Sequence, residues 1–146
     1  MNFLSFYMNI WQIIKDFSKK RQDIKARENK AIIKTQDILA RYDLVLKSMS
    51  INYPSDKWLS LLSYKNNAKE LKNILSDLYG MLPDYSNQNR PKIQKFKTES
   101  EKVIHKIIER YTSTNGEFKI FKPFVKILHS LYDEIQKEVN KISAQK

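Results

Sequence analysis

Taking every seventh residue from Phe3 gives Phe3, Ile10, Phe17, Ile24, Ala31, Ile38 and Val45, all of them apolar. The fourth position after each gives Tyr7, Ile14, Arg21, Glu28, Thr35, Tyr42 and Met49, which is apolar at both ends and polar in the middle. A repeat held this long predicts a helix with one face laid against something else. No glycine or proline interrupts it, so one long first helix is expected over about 3–49. At about 1.5 Å per residue it would reach ~70 Å. The seam is thinnest at "SKKRQDIKARENK", where a break is the alternative to continuity.

Three further stripes follow. The second helix is expected over about 55–79, entered after Pro54 with Ser55 as N-cap and Asp56 in the first turn. Its inner face would carry Trp58, Leu61, Leu62, Leu71, Ile74, Leu75 and Leu78. Gly80 is placed to end it in a left-handed conformation, and "LPDYSNQNR" reads as the longest polar loop. The third helix is expected over about 91–112 with Pro91 in its first position, and Ile93, Phe96, Val103, Ile104, Ile107, Ile108 and Tyr111 on one side. The fourth is expected over about 123–143, striped by Phe124, Leu128, Leu131, Ile135, Val139 and Ile142. The short "EFKIF" before it alternates and is compatible with extended chain.

Helices joined by short links settle as antiparallel neighbours. The fold class expected is therefore all-α: a bundle of about four helices in one domain spanning 1–146, with the long first helix lying along or beyond the other three. That length fits a single domain with its own core.

The opening stretch changes this picture. The first fourteen residues carry no charged side chain, and Ser5, Asn9, Gln12 and Asp16 form one narrow polar stripe with apolar residues around most of the rest. A surface helix ordinarily buries a narrower face. The run is too short for a membrane span, and it has neither the basic start nor the cleavage site of a secretory signal. Phe3, Phe6, Tyr7, Ile10, Trp11 and Ile14 are accordingly the candidate partner-binding residues, for self-association or for a larger assembly. An interfacial helix in a lipid headgroup layer, with Trp11 and Tyr7 on its greasy side, is the alternative, and burial in the chain's own core is the plain one.

Charge adds a second candidate surface. The net charge is +11, from 27 basic and 16 acidic residues, a balance that favours nucleic acid, anionic lipid or an acidic protein. The lysine-, isoleucine- and asparagine-rich composition also matches the coding bias of an AT-rich genome. Lys20, Arg27, Lys34 and Arg41 recur every seven residues, thickened at the start by Lys19, Arg21, Lys25 and Lys30, and so form a cationic line along the first helix. Asp16, Asp23 and Asp37 each stand four residues before a member of that line, as in an exposed helix held by its own ion pairs. Arg90, Lys92, Lys95 and Lys97 form a second cluster at the start of the third helix, with no acid among them.

Catalytic patterns are absent from the string. Two glycines cannot supply a phosphate loop or a dinucleotide turn, and there is no cysteine for a nucleophile or a thiolate metal site. Glu101, His105 and Glu109 share a helix face, as do His129 and Asp133, but both sets lie well away from their apolar stripes, whereas bundle metal sites point inward. No cofactor, metal or small-molecule substrate is expected. The reading is of a non-enzymatic, cytoplasmic interaction protein acting in an assembly, its basic surface contacting nucleic acid or a nucleoprotein without sequence specificity. Its alternatives are a peripheral membrane protein docking through the first helix, and an inhibitor or immunity protein blocking an acidic partner.

Overall fold

The structure is a computed structural model that describes the backbone over 3–51, 57–111 and 121–144, and side chains over 8–49, 63, 65–110 and 121–144. The described residues form four α-helices: α1 (Phe3–Ile51), α2 (Lys57–Tyr79), α3 (Arg90–Tyr111) and α4 (Lys122–Ala144). Among the described residues there is no strand. The expected cap at Ser55 and Asp56, the side chains of Trp58, Leu61, Leu62 and Tyr111, and most of "EFKIF" fall outside the described residues.

The first helix does not break. All 49 residues are α-helical, through the thin part of the seam included. Its C-terminal half is the fourth wall of the bundle, so the body is built from four helices rather than three with a companion. Each helix packs on its neighbours in the chain, and α1 closes the ring against α4. Cross-helix contacts give the directions. Arg41 meets Asp77 at 3.1 Å while Thr35 meets Tyr85, so α1 and the run from α2 to the loop after it are antiparallel. Lys92 meets Glu138 at 3.2 Å, and Arg110 lies 5.1 Å from the Phe124 ring, so α3 and α4 are antiparallel too.

The core is drawn from the expected stripes. Ile38, Tyr42, Leu46 and Met49 of α1 bury with Leu71, Leu75 and Leu78 of α2, Ile93 and Ile104 of α3, and Leu128, Ile135 and Val139 of α4. Tyr42 is the keystone. Its ring stands edge-on to Phe96 at 5.7 Å and stacks on Tyr132 at 6.2 Å. Its hydroxyl lies beside that of Ser100, yet neither closes a hydrogen bond within the protein.

Two expectations around Gly80 are overturned. Gly80 does not adopt a left-handed backbone. The chain instead turns on from α2 through Met81, itself right-handed, into a 3-10 turn over Leu82–Asp84, with Met81 N–H on the Leu78 carbonyl at 3.1 Å. Nor is "LPDYSNQNR" a free polar loop. Leu82 and Tyr85 turn inward and plug the end of the bundle, and the polar mid-seam positions Thr35 and Glu28 of α1 receive Tyr85, Ser86 and Asn89. The Thr35 hydroxyl donates to the Ala31 carbonyl at 2.7 Å, which leaves it to accept the Tyr85 hydroxyl. The Glu28 carboxylate accepts the Ser86 N–H and, at 2.9 Å, the Asn89 side-chain amide.

Burial raises both core phenols. Tyr42 lies well above the ordinary range, and Tyr85 is pushed up to about 12 from 10.0, with the nearby Glu28 carboxylate adding to the effect of burial. The unfolded chain therefore releases these protons near pH 10 while the folded chain keeps them. Stability is full below that pH and falls as pH rises towards 12, by about 2 kcal/mol for Tyr85. Thermal midpoints recorded against pH are expected to drop steeply over that window, and to drop less steeply in Tyr85→Phe. An equal slope in the variant would remove Tyr85 as the cause.

Candidate docking arm and its cationic flank

The bundle leaves half of α1 outside. Every residue from 8 to 27 is exposed, whereas burial begins abruptly at Ala31 and Ile32. The helix nonetheless keeps its register across that boundary. The seam that buries Ala31, Thr35, Ile38 and Tyr42 continues upward as Ile24, Phe17, Ile14 and Ile10, all of them exposed among the described residues, with Ile24 at the edge of the body. Exposure reaches 52% at Ile14, 62% at Trp11 and 63% at Phe17. Single exposed apolar residues are ordinary, but a row in helical register is a surface awaiting a cover. Of the expected partner-binding set, Ile10, Trp11 and Ile14 are thus exposed together on one arm. Phe3, Phe6 and Tyr7 continue the same helix, and their side chains lie outside the described residues.

At the base of the arm sits the loop that follows α2. The Glu28 bonds to Ser86 and Asn89 fasten α1 to that loop where the helix leaves the body. A shallow cleft of about 280 Å³ lies there, bordered by Ile24, Lys25, Asn29, Gln88 and Ile142.

The cationic residues separate into two groups. On the arm, Lys19, Lys20, Arg21 and Arg27 are all exposed, and among the described residues no carboxylate lies within 4.0 Å of them. Arg21 rests its guanidinium 5.7 Å from the Phe17 ring. On the body, Lys34 is exposed but Arg41 is engaged twice, at 3.1 Å by Asp77 and at 3.9 Å by Asp37. The line of cations is therefore exposed at the arm end and neutralised at Arg41 on the body.

The cluster at the start of α3 is largely spent on the fold. Arg90 turns inward and donates to the carbonyls of Leu82 at 2.8 Å, Tyr85 at 2.9 Å and Pro83 at 3.3 Å, clamping the plug. Lys92 bridges to Glu138, whose carboxyl is held below its usual range chiefly by that lysine. Lys97 pairs with Glu101 and lies 5.5 Å from the Tyr79 ring. Lys95 remains exposed, bordering a pocket of about 140 Å³ between α3 and α4. Sequence reasoning had no means to separate these roles, since a lysine paired to another helix and a lysine in water leave the same letter.

No family model, curated protein or solved structure matches the chain. The geometry alone therefore carries the functional reading. His105 faces solvent and His129 is half-buried, and among the described residues no three histidines or carboxylates stand together as a metal site would need. None of the described helices is long and apolar enough to cross a membrane.

Proposed function

We propose that this chain is a non-enzymatic helical interaction protein: the four-helix body is a head, and the projecting half of α1 is its docking element within an assembly. One observation carries the reading, namely that the seam of the bundle core runs on, in register, over an arm whose described residues are all exposed. A helix stripe that is buried downstream and bare upstream has the chemistry of an interface.

The exposed cations beside that stripe supply the second half of the proposal. Lys19, Lys20, Arg21 and Arg27 are exposed and of the right type for sequence-independent phosphate contacts, as expected of a protein facing nucleic acid or a nucleoprotein. Fluorescence anisotropy with a mixed-sequence DNA duplex is expected to show affinity falling steeply with salt. Each phosphate neutralised adds about 0.9 to the log–log slope, so Lys19→Gln/Lys20→Gln/Arg21→Gln is expected to flatten it by about 2–3. Affinity indifferent to salt, or a slope unchanged by the triple variant, would reject the arm as a phosphate contact.

A second reading has its own observation. Met8 at 69% and Trp11 at 62% exposure extend the apolar arc beyond the seam itself, which suits the headgroup layer of an anionic leaflet. Co-sedimentation with phosphatidylserine-containing vesicles that Trp11→Glu abolishes would favour it.

A further inference from the structure

The polar residues in the α1 seam fall at Arg21, Glu28 and Thr35, seven apart. The two on the body are each met by another segment: Thr35 by the Tyr85 hydroxyl, Glu28 by the Ser86 N–H and the Asn89 amide. Arg21 is the third, and it stands on the arm. It lies on the seam face between Phe17 and Ile24, and all three are exposed. Its guanidinium rests 5.7 Å from the Phe17 ring, and no carboxylate among the described residues pairs with it. Lys20 and Lys25 flank it on either side of the stripe. A cation set into an apolar seam in this way selects a cover that brings a carboxylate to it.

The body narrows what that cover is. Ala31, Thr35, Ile38 and Tyr42 face α2, α3 and α4, so those helices stand on the same side of α1 as Ile24, Phe17, Ile14 and Ile10. Packed helix axes lie roughly 8–10 Å apart, so the body rises about 10 Å above the bare stripe. A flat leaflet, or a straight duplex laid along the stripe, would rest on that step and on the tip, and would miss Phe17, Arg21 and Ile24. A second copy brings the same cations and a net charge of +11. A helix is slim enough to lie in the corner. Its apolar face covers the isoleucines while its carboxylates reach Arg21, Lys20 and Lys25. The cleft at the step, bordered by Ile24 and Ile142, seats its end.

We propose that the arm receives an acidic amphipathic helix of a partner protein, which prolongs the bundle beyond the body and sets a carboxylate against Arg21. The inference rests on the arm being a docking element and adds the chemistry of what lies on its seam. Lys15 and Lys19 project from the opposite face of the arm and stay open to phosphate.

The probe is a designed peptide of about three heptads, with leucine at its two seam positions and glutamate beside them. One control peptide has lysine for every glutamate. The other has the same composition, scrambled so that no apolar face forms. Fluorescence anisotropy with the full chain is expected to show the glutamate peptide bound at least about tenfold more tightly than either control. Ile14→Glu is expected to weaken that binding by about tenfold or more, with the head's urea midpoint unchanged. The deciding variant is Arg21→Glu/Lys25→Glu, for which the preference is expected to invert in favour of the lysine peptide. Equal binding of the scrambled peptide, a preference that does not invert, or no binding of the glutamate peptide at hundreds of micromolar overturns the proposal. Two further measurements then separate the cases. If the full chain sediments with phosphatidylserine–phosphatidylcholine vesicles, or binds a DNA duplex, and Ile14→Glu abolishes this, the arm docks but not onto an acidic helix. If neither occurs, the arm is not a docking element either.

Discussion

Glu28→Ala lowers the stability of the protein by about 1 kcal/mol, the expected result of leaving two part-buried donors without their acceptor. The carboxylate takes the Ser86 N–H and the Asn89 side-chain amide, and Asn89 is only 6% exposed. All three groups border the cleft beside Ile24 and Ile142, so water replaces part of what is lost. Glu28→Gln keeps an acceptor oxygen and the shape, so about half the loss is expected. Urea unfolding followed by circular dichroism measures both. Hydrogen exchange localises the effect: the Ser86 amide is expected to exchange faster in Glu28→Ala before the rest of the head does. Equal midpoints for wild type and Glu28→Ala would show that the bond contributes nothing at the base of the arm.

A larger effect is expected at the centre. Leu75 is fully buried on α2, inside the ring of four helices. Leu75→Ala removes a packed side chain and leaves a cavity the neighbouring helices cannot fill without moving apart, at a cost of about 3 kcal/mol. Exposed Leu44→Ala on α1 is the matched control, and is expected to change the urea midpoint by less than a quarter as much. The contrast matters for function, because it separates the stability of the head from the behaviour of the arm. Substitutions at Trp11 or Ile14 are expected to leave the head's midpoint where it was, since no packing in the described structure depends on them.

How much of this was readable beforehand differs from element to element. The four helices and their inner faces were legible, because periodicity records burial directly: Leu71, Ile74, Leu75 and Leu78 stand at helical spacing and are all buried. The plug was not. Glu28 and Thr35 interrupt the apolar seam of α1, and a polar residue at a seam position signals weakness when the string is read alone. Here each receives a group from the loop after α2, a contact over a separation no local pattern encodes. Leu82 and Tyr85, three residues apart beside two polar seam positions, were the available trace of it. Arg90 was misleading for the same reason: three loop carbonyls hold it, and carbonyls leave no mark in a sequence. The arm was half legible. The surplus of apolar surface at the start of the chain was plain, but where the bundle would stop covering it depends on how far α4 reaches, which Ile142 near Ile24 sets.

The continuity of α1 has a geometric corollary. A rod with no glycine or proline from Phe3 to Ile51 has no hinge, so the head dictates both the distance and the compass bearing at which the tip presents its sticky side. Each residue added to or removed from the stretch between Ser18 and Arg27 would swing that side by about 100°, while seven added together would restore the bearing and merely lengthen the reach by about 10 Å. The body thus serves its tip as a protractor serves a drawn line.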